Sequence, residues 1–279
     1  MQAKLVILHA LSPLHAGTGQ GVGAIDLPIA REKGTGIPIV PGSSLKGVLR
    51  DVCAAGEKNN DTCTRIFGPE TANASDHAGA LVLTDLRLVA LPVRSLAGVF
   101  AWVSSPFLLR RLRRDTRIAG QPDIPAVPAV PGDEKALTAN TSEILADDTY
   151  LVLEDVELTA EKGLAGAWAE WLGVRLFEDA EWRQVFNSRF CIVHDHVMSY
   201  LLDIGTEVTA RIRIDSEKKT VHSGALWYEE ALPAESILAG LVMAQKNGKA
   251  ESEEVFQVVS KLVESPLQVG GNATWGRGL

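Results

Sequence analysis

Glycine occupies every second position from residue 17 to residue 23, and no other feature restricts the fold of this chain as strongly. Glycines this closely spaced cannot sustain a helix or a strand, because glycine loses more backbone entropy on ordering than any other residue. We therefore predict a loop here, between a short apolar strand at 4–11 and an extended piece that begins at Pro28. On such a mobile loop, Asp26 could reach a substrate and bind a divalent metal or orient a ribose hydroxyl. The alternative is an ordinary exposed aspartate.

A helix is predicted after the extended piece, at about 43–55, with Ser43 or Ser44 as its cap. Lys46 and Arg50 are four residues apart and share one helical face, away from the apolar one. The free N–H groups at a helix N-terminus attract phosphate, and two cations beside them strengthen that attraction. The segment thus indicates a phosphate-backbone grip, with a capped helix and two solvated cations as the alternative. The proline after the loop argues against a nucleotide cofactor, since a dinucleotide fingerprint opens a helix immediately.

Composition and charge lower the expectation for some classes of protein. The 279 residues are 46% hydrophobic, which supplies the core of one large domain or of two intertwined ones. A net charge of −8 taken alone argues against nucleic-acid binding, although an acidic chain can carry a local basic groove. The apolar runs are too short or too interrupted for a signal peptide or a membrane span, so a soluble cytoplasmic protein is expected.

Cysteines at 53, 63 and 191, without CxxC spacing, predict reduced and mostly buried thiols.

The remaining periodicity predicts helices and strands in irregular alternation, which favours an α+β domain over a parallel α/β sheet. Strands are expected at 80–93, 98–103, 150–158 and 189–194. Helices are expected at 106–117, 165–177, 196–202, 233–245 and 253–263. The segments 207–214 and 220–228 flank the polar turn 215–219 and predict a β-hairpin.

Basic side chains on the helix that starts at Pro106 form the densest cationic patch of the sequence. Their guanidinium groups suit phosphate oxygens, and ion pairs with neighbouring acids are the alternative. The patch consists of Arg110, Arg111, Arg113 and Arg114, with Arg117 beyond them. His15, ahead of the glycine loop, could donate to a phosphate or be a satisfied polar group. The GxSxG and HExxH signatures are absent.

Two further groups of residues have competing interpretations. His194 and His196 flank Asp195 and resemble a metal site, but no third ligand has a recognisable spacing, so no site is expected there. The tetrapeptide WYEE at 227–230 could stack its aromatic rings on bases. Alternatively, the rings pack in the core and the two acids are solvated.

Several of these segments occur in an order that resembles the RAMP superfamily of CRISPR proteins. HAGTGQGVGAIDLPIARE, PGSSLKGVLRD and the terminal QVGGNATWGRG carry the resemblance, and FAWVSSPFLLRRLRRD, RIRID and GALWYEEALP fit it between them. The chain looks like the Cas7-like repeated backbone subunits of type III-B (Cmr) effector complexes, with type III-A subunits as the nearest alternative. The resemblance implies an α+β fold: a modified RRM-like (ferredoxin-like) palm with inserted helical elements and a thumb-like β-hairpin. It implies a single domain over 1–279, with insertions around 104–150 and 160–228 and the thumb at 205–228.

The resemblance also implies partners and a reaction. The partners are a CRISPR RNA, a single-stranded target RNA, copies of the chain in a helical filament and other Cmr subunits, with no membrane. Target RNA would be cleaved at regular intervals by a metal-dependent endoribonuclease within the assembled complex, using Mg²⁺ or Mn²⁺. A purely structural filament subunit and a small-molecule phosphate enzyme are the alternatives.

Site residues follow from the resemblance position by position. Asp26 matches the family's catalytic loop aspartate and is the candidate metal ligand. The positions that match RNA-binding motifs are His15, Gly17, Ser43, Ser44, Lys46, Arg50, Gly270, Gly271 and Arg277. The supporting positions are Arg110, Arg111, Tyr228 and Glu229.

Overall fold

One large mixed sheet organises the protein, which the computed structural model describes over residues 1–19, 21, 23–56, 61–69, 77–214, 221–245 and 250–279. The turn predicted at 215–219 lies outside these residues. The strands are β1 Gln2–His9, β2 Ile39–Val40, β3 Leu81–Leu83, β4 Leu86–Arg94, β5 Phe100–Ser104, β6 Lys135–Thr138, β7 Leu145–Ala146, β8 Tyr150–Leu153, β9 Val156–Lys162, β10 Phe190–Val193, β11 Glu207–Ile214, β12 Val221–Ala231 and β13 Ile237–Ala244. The helices are α1 Gly42–Gly56, α2 Asp61–Phe67, α3 Pro106–Ile118, α4 Gly166–Leu176, α5 Ala180–Arg189, α6 Asp195–Ile204 and α7 Ser252–Leu262.

The strand order of the sheet is β1-β13-β4-β5-β10-β6-β9-β8-β7, with β2 added to β4 and β3 added to β13. Two neighbouring pairs, β5/β10 and β6/β9, are parallel, and the others are antiparallel. This combination of helices with a mixed sheet confirms the α+β class. Strands β11 and β12 form a separate antiparallel pair, which confirms the two strands of the predicted hairpin.

Helices cover both faces of the large sheet. Successive residues of a strand point to opposite sides, so a single strand contributes side chains to both cores. On β10, Phe190 and Ile192 join an aromatic-rich core with side chains of α3, α4 and α5. Cys191 and Val193 point the other way, into a core that includes side chains of α1, α2, α6 and α7. The fully buried Trp102 anchors the aromatic core and lies 5.0 Å, between ring centroids, from Phe186 of α5.

The segment 233–245 contains a strand, β13, and the helix predicted there is wrong. β13 lies between β1 and β4 and pairs antiparallel with β1 from Ala244↔Gln2 to Ile237↔His9. A strand covered on both faces reads as a continuous apolar run, so ILAGLVMA shows no alternation and imitates a buried helix.

Two other predicted strands are interrupted by turns. The segment 80–93 is divided at Thr84 and Asp85 into β3 and β4. The segment 150–158 folds back at Glu154, which has a positive φ of 50°, and forms the hairpin of β8 and β9. The predicted helices at 106–117, 165–177, 196–202 and 253–263 are confirmed as α3, α4, α6 and α7, and the strands at 98–103 and 189–194 as β5 and β10.

The expectation of three reduced cysteines is wrong for two of them. Cys53 in α1 and Cys63 in α2 form a disulfide. The fold brings their Cα atoms to 6.0 Å, within the range that a disulfide spans. No local spacing pattern marks such a pair, since their proximity depends on how the two helices pack. Cys191 is a free thiol, and its burial in the sheet raises its pKa.

Candidate functional site

Asp26 lies where the glycine-rich loop docks on the base of the β11–β12 hairpin. The neighbouring Leu27 runs along β12: its N–H donates to the Tyr228 carbonyl, and its carbonyl accepts from the Glu230 N–H, both at 3.0 Å. The Asp26 carboxylate accepts a further hydrogen bond from the Tyr228 N–H at 2.7 Å. The side chain remains exposed, and a carboxylate keeps acceptor capacity beyond one N–H. Asp26 is therefore held in one place, rather than carried by a loose loop, and is accessible to a ligand.

His15 connects the glycine-rich loop to the glycine pair near the C-terminus. Its Nδ1 donates to the Glu230 carbonyl at 2.6 Å, so Nε2 is the acceptor of the neutral ring. The His15 carbonyl accepts from the Gly271 N–H at 2.9 Å. The ring covers Gly17 so closely that a Cβ there would lie 2.5 Å from Nε2. Gly270 has a φ of +83° and touches the His15 carbonyl, so both its backbone and its surroundings require glycine.

Glu230 is buried on β12 and holds the chain that follows the loop. Its carboxylate accepts from the Ile29 N–H at 3.0 Å, from the Arg31 guanidinium at 2.6 Å and from the Thr206 hydroxyl at 2.9 Å. Because the next residue along a strand points to the opposite side, Glu230 and Glu229 serve different parts of the structure. Glu230 thus fixes the segment that positions the loop aspartate.

Glu229 is also buried, with 1% of its surface exposed, and ties the C-terminal segment to the hairpin. Its carboxylate accepts from the Asn272 amide at 2.5 Å and lies 3.5 Å from the Arg277 guanidinium and 3.8 Å from that of Arg211. The interpretation of two solvated acids is therefore wrong, because cations from other segments reach both carboxylates. The aromatic neighbour Tyr228 is instead 41% exposed. Two adjacent acids inside an apolar strand sequence are the signal that could have indicated burial beside arginines.

An open groove of about 540 Å³ lies beside these motifs. It brings together the glycine-rich loop, one face of α1 and the C-terminal glycine pair, and its lining includes His15, Gly17, Ser44, Asp51, Gly270 and Gly271. The α1 face in this groove carries a carboxylate, Asp51, and not the two cations that the sequence suggested.

The N-terminus of α1 differs from the predicted serine cap. The helix begins at Gly42, whose N–H donates to the Asp85 carboxylate at 2.9 Å. Ser43 and Ser44 therefore lie within the first turn, where both are exposed. Since Asp85 already complements this helix end, the N-terminus alone is a weaker phosphate site than the sequence indicated.

Lys46 and Arg50 lie away from the groove lining. The Lys46 ammonium donates to the Leu81 carbonyl at 2.9 Å. Burial, and secondarily the charge of Arg50, lowers the pKa of Lys46. A role for these cations in binding a phosphate backbone stays a prediction, and the Lys46 ammonium has donors beyond the one that the Leu81 carbonyl accepts.

The arginines of α3 divide into paired and available groups. Arg111 forms a two-point ion pair with Glu32, with one contact at 2.6 Å, and Arg87 approaches the same carboxylate at 3.4 Å. Arg111 therefore has the ion-pair role that was one of the two alternatives. Arg110 has a side chain that is 62% exposed and lies 4.0 Å from Asp195, so it remains accessible to a ligand.

Glu32 provides a test of this ion-pair cluster. The hydrogen bonds from Arg111 are the main cause that lowers the pKa of Glu32 from 4.5 to about 2. A depressed carboxyl pKa stabilises the fold above the unfolded-state pKa, and this contribution is lost as the pH falls through the folded-state pKa. We expect Glu32→Gln to lower the free energy of unfolding by about 2 kcal/mol at neutral pH, after allowance for partial solvent exposure. Urea unfolding of both proteins should show this difference shrinking below pH 4.5; a pH-independent difference would contradict it.

Three potential metal ligands, Asp133, His194 and His196, lie together among the described residues. The sequence shows no third ligand at a recognisable spacing from the two histidines, and the fold brings one from a distant segment. Asp133 precedes β6, and only sheet pairing brings it near α6. Within the same residues Asp26 belongs to no such group.

The chain matches one protein family over nearly its whole length. The model of the RAMP superfamily matches residues 7–279, so the chain belongs to the RAMP superfamily. No helix in the described ranges has both the length and the apolar character needed to cross a membrane.

Within that superfamily, the chain is similar to Cmr4 proteins. It is 37% identical to the CRISPR system Cmr endoribonuclease Cmr4 of Pyrococcus furiosus, over 100% of this chain and 94% of the relative. The crystal structure of oligomeric Cmr4 from Pyrococcus furiosus superposes with a TM-score of 0.76 at 29% identity, covering 100% of this chain and 95% of that one. A chain of the type III-B Cmr-beta complex bound to cognate target RNA gives 0.77 at 20% identity, covering 100% and 95%, and shares the fold.

Proposed function

We propose that this chain is the repeated backbone subunit of a type III-B CRISPR ribonucleoprotein complex in the cytoplasm. In that role it binds CRISPR RNA and cleaves complementary target RNA at regular intervals, beside copies of itself and other Cmr subunits. The similarity to a Cmr endoribonuclease over the entire chain supports the assembly and the substrate. The observation that carries the chemistry is the exposed Asp26 carboxylate, held at the base of the hairpin by the Tyr228 N–H.

An RRM-like palm is the finer description of the fold that we propose. The chain order β1, α1, β4, β13, α7 is the βαββα order of that motif. In space, β13 lies between β1 and β4 and pairs antiparallel with both, while α1 and α7 contribute to the same core. These features support a single domain over 1–279, with the remaining elements inserted around 104–150 and 160–228.

The β11–β12 hairpin is the proposed thumb. One of its faces exposes apolar side chains, with 49% of Val208, 49% of Ile212 and 54% of Leu226 accessible. A contiguous exposed apolar patch is uncommon on soluble proteins and often marks an interaction site. An apolar wedge beside Asp26 suits a role in displacing one nucleotide of the guide–target duplex, which would leave the adjacent phosphodiester free to change geometry.

Cleavage requires little of the protein beyond a base and correct placement. The ribose 2′-hydroxyl is the nucleophile and must lie in line with the phosphorus and the leaving 5′-oxygen. Asp26 accepts the 2′-hydroxyl proton, the O2′–P bond forms, and the P–O5′ bond breaks as the leaving oxygen takes a proton from water. The products are a 2′,3′-cyclic phosphate and a 5′-hydroxyl end.

A divalent metal is compatible with Asp26 if the RNA completes its coordination. Mg²⁺ and Mn²⁺ prefer oxygen ligands, and Mg²⁺ often uses one or two carboxylates together with substrate phosphates and water. Asp26 offers an exposed carboxylate without other clustered ligands in the described structure, which suits such a shared site. When bound, the ion would stabilise negative charge on the phosphoryl oxygens. The protein's own part is to hold the carboxylate at the hairpin base.

Guide binding should depend on salt through the proposed basic contacts of α1. We expect the double variant Lys46→Gln/Arg50→Gln to reduce the slope of log affinity against log salt by about 1 to 2, because each lost phosphate contact removes about one released counterion. The measurement is RNA binding by the complex across a salt series. Lys261→Gln, which changes an exposed lysine on α7, is the matched control. An unchanged slope in the double variant would refute a phosphate role for this pair.

A bound guide can be detected without assuming any mechanism. If the chain is purified with its neighbouring subunits, we expect the absorbance ratio to reveal nucleic acid. A denaturing gel should then resolve RNA of a narrow length range. Absence of RNA, or a broad mixture of cellular RNA, would contradict the guide-binding role.

A structural filament subunit without nuclease activity is the second candidate. The hydrogen bond from the Tyr228 N–H to Asp26 favours it, because this aspartate also fastens the loop to the hairpin. The type III-A equivalent is a variant of the same assembly. A substitution that keeps the hydrogen bond and removes the charge separates the structural role from the catalytic one.

A further inference from the structure

We propose that Asp133, His194 and His196 form a binding site for a divalent transition-metal ion, with Zn²⁺ as the best fit. Their ligand atoms all lie within 4.8 Å of one another. Two imidazoles and a carboxylate are a usual protein ligand set for Zn²⁺, Co²⁺ and Ni²⁺. The proposal is independent of guide binding and of the Asp26 chemistry.

Sheet pairing explains why these three residues meet. β6 and β10 are antiparallel, and Val193 lies opposite Ala136. Asp133 lies two residues before β6 and His194 directly follows β10, so the antiparallel pairing brings these two ends together. His194 occupies the N-cap of α6 in an extended conformation, so its ring turns back over the first turn, where His196 lies. The two rings are 4.7 Å apart between centroids.

One of the two distances between ligand atoms matches the spacing around a coordinated ion, and the other is shorter. One Asp133 oxygen lies 2.5 Å from the His194 Nδ1, and the other lies 3.3 Å from the His196 Nδ1. In a tetrahedral site with bonds of about 2.0–2.1 Å, neighbouring ligand atoms are about 3.3 Å apart. Small side-chain rotations therefore open the cluster enough for an ion. With side-chain exposures of 29%, 58% and 80% for His194, Asp133 and His196, water or another ligand can complete the coordination.

His194 Nδ1 faces two partners in the cluster. It lies 2.5 Å from a carboxylate oxygen of Asp133 and 3.3 Å from the His196 N–H. An imidazole nitrogen has a single lone pair, so an ion bound to Nδ1 takes the place of the proton shared with Asp133 and ends the weaker contact with the His196 N–H. The Asp133 carboxylate then contacts the ion, and its negative charge stays compensated.

Asp195, although it lies between the two histidines, belongs to a different set of contacts. It accepts from the Phe107 N–H at 2.8 Å and lies 4.0 Å from Arg110. Its engagement with α3 leaves Asp133 as the carboxylate of the cluster. The positive end of α6 opposes a cation here, so the site depends on imidazole ligands and favours transition metals over Mg²⁺ or Ca²⁺.

Cobalt titration tests this site directly. The chain is purified without a histidine tag, freed of metal with a chelator and titrated with Co²⁺, whose visible absorption reports imidazole coordination. We expect one Co²⁺ per chain, displaced by Zn²⁺, and binding that is weakened at least about tenfold in His196→Ala and in Asp133→Asn. His196 is mostly exposed, so its loss should leave the unfolding curve of the metal-free protein unchanged.

The matched control is His9→Ala. His9 pairs with the Glu235 carboxylate at 2.7 Å in a contact of the same chemistry outside the cluster. This variant should bind Co²⁺ as the parent chain does. Absence of stoichiometric Co²⁺ binding by the parent, or equal binding by His196→Ala, would overturn the proposal.

Discussion

Replacing Asp26 by asparagine is expected to slow target-RNA cleavage by the assembled complex by about 10²- to 10⁴-fold, the usual contribution of a positioned base. Asparagine keeps an oxygen that can accept the Tyr228 N–H, so the loop should stay docked on the hairpin. The charge and the proton acceptor are lost. Single-turnover cleavage of a complementary RNA, at saturating complex, measures this effect, and target affinity measured in parallel should be unchanged.

Two further variants separate chemistry from loop structure. Asp148→Asn is the matched control: Asp148 is an exposed loop aspartate whose positive φ of 56° asparagine tolerates, and it should cleave at the parent rate. Asp26→Ala removes both the charge and the acceptor for the Tyr228 N–H. If Asp26→Asn cleaves at the parent rate with target binding intact, Asp26 is not the base, and the structural-subunit alternative gains support.

Removal of the Glu229 carboxylate should have the largest effect on stability. Glu229→Ala leaves the Arg277 guanidinium, which is 9% exposed, without its counter-charge, and also removes the partner of Arg211. Breaking one side of a buried ion pair costs about 3 to 5 kcal/mol, so we expect about 3 kcal/mol less free energy of unfolding. Because Asn272 loses its acceptor as well, the C-terminal segment should become a preferred site of limited proteolysis. Urea unfolding and timed proteolysis measure the two effects.

Two comparison variants, one at this position and one on β9, sharpen the test. Glu229→Gln retains an acceptor for Asn272 while losing the charge, so it should cost less than the alanine variant. Glu157→Ala truncates an exposed glutamate on β9 and should change stability by no more than about 0.5 kcal/mol. Equal stability of Glu229→Ala and Glu157→Ala would show that the buried carboxylate does not hold the C-terminal segment.

Local signals in the sequence predicted the elements that depend on local chemistry. Pro106 can start a helix because its missing N–H would be unpaired there in any case, and α3 begins at that residue. The polar turn at 215–219 between two alternating segments was sufficient to predict β11 and β12. Where a strand is covered on both faces, its apolar pattern has no period, so the sequence predicts a helix where the structure has β13.

Contacts between distant segments could not be predicted in the same way. Asp85 complements the start of α1 from the turn between β3 and β4, so the serines at that helix end looked like caps. Asp133 reaches the two histidines only through the pairing of β6 with β10. Buried Glu229 and Glu230 depend on arginines far along the chain.

The candidate site shows both kinds of inference. The sequence was sufficient to single out the glycine-rich loop, α1 and the C-terminal glycine pair as parts of one site. The structure places all three around one groove. The sequence could not show why glycine is required at positions 17 and 270. The reason is that the His15 ring lies against Gly17 and the His15 carbonyl lies against Gly270. The positions of the charged side chains were the least predictable feature. Lys46 donates to the Leu81 carbonyl and does not line the groove.

Mapping the ends of target RNA cut by the assembled parent complex tests the central claim most directly. The measurement is sequencing of the cut positions along a complementary RNA, with chemical identification of the new ends. The account predicts cuts at a constant spacing, each with a 2′,3′-cyclic phosphate and a 5′-hydroxyl, and their joint loss in the Asp26→Asn complex. Cuts without regular spacing, ends with a 3′-hydroxyl and a 5′-phosphate, or an uncut target held by the complex would contradict it.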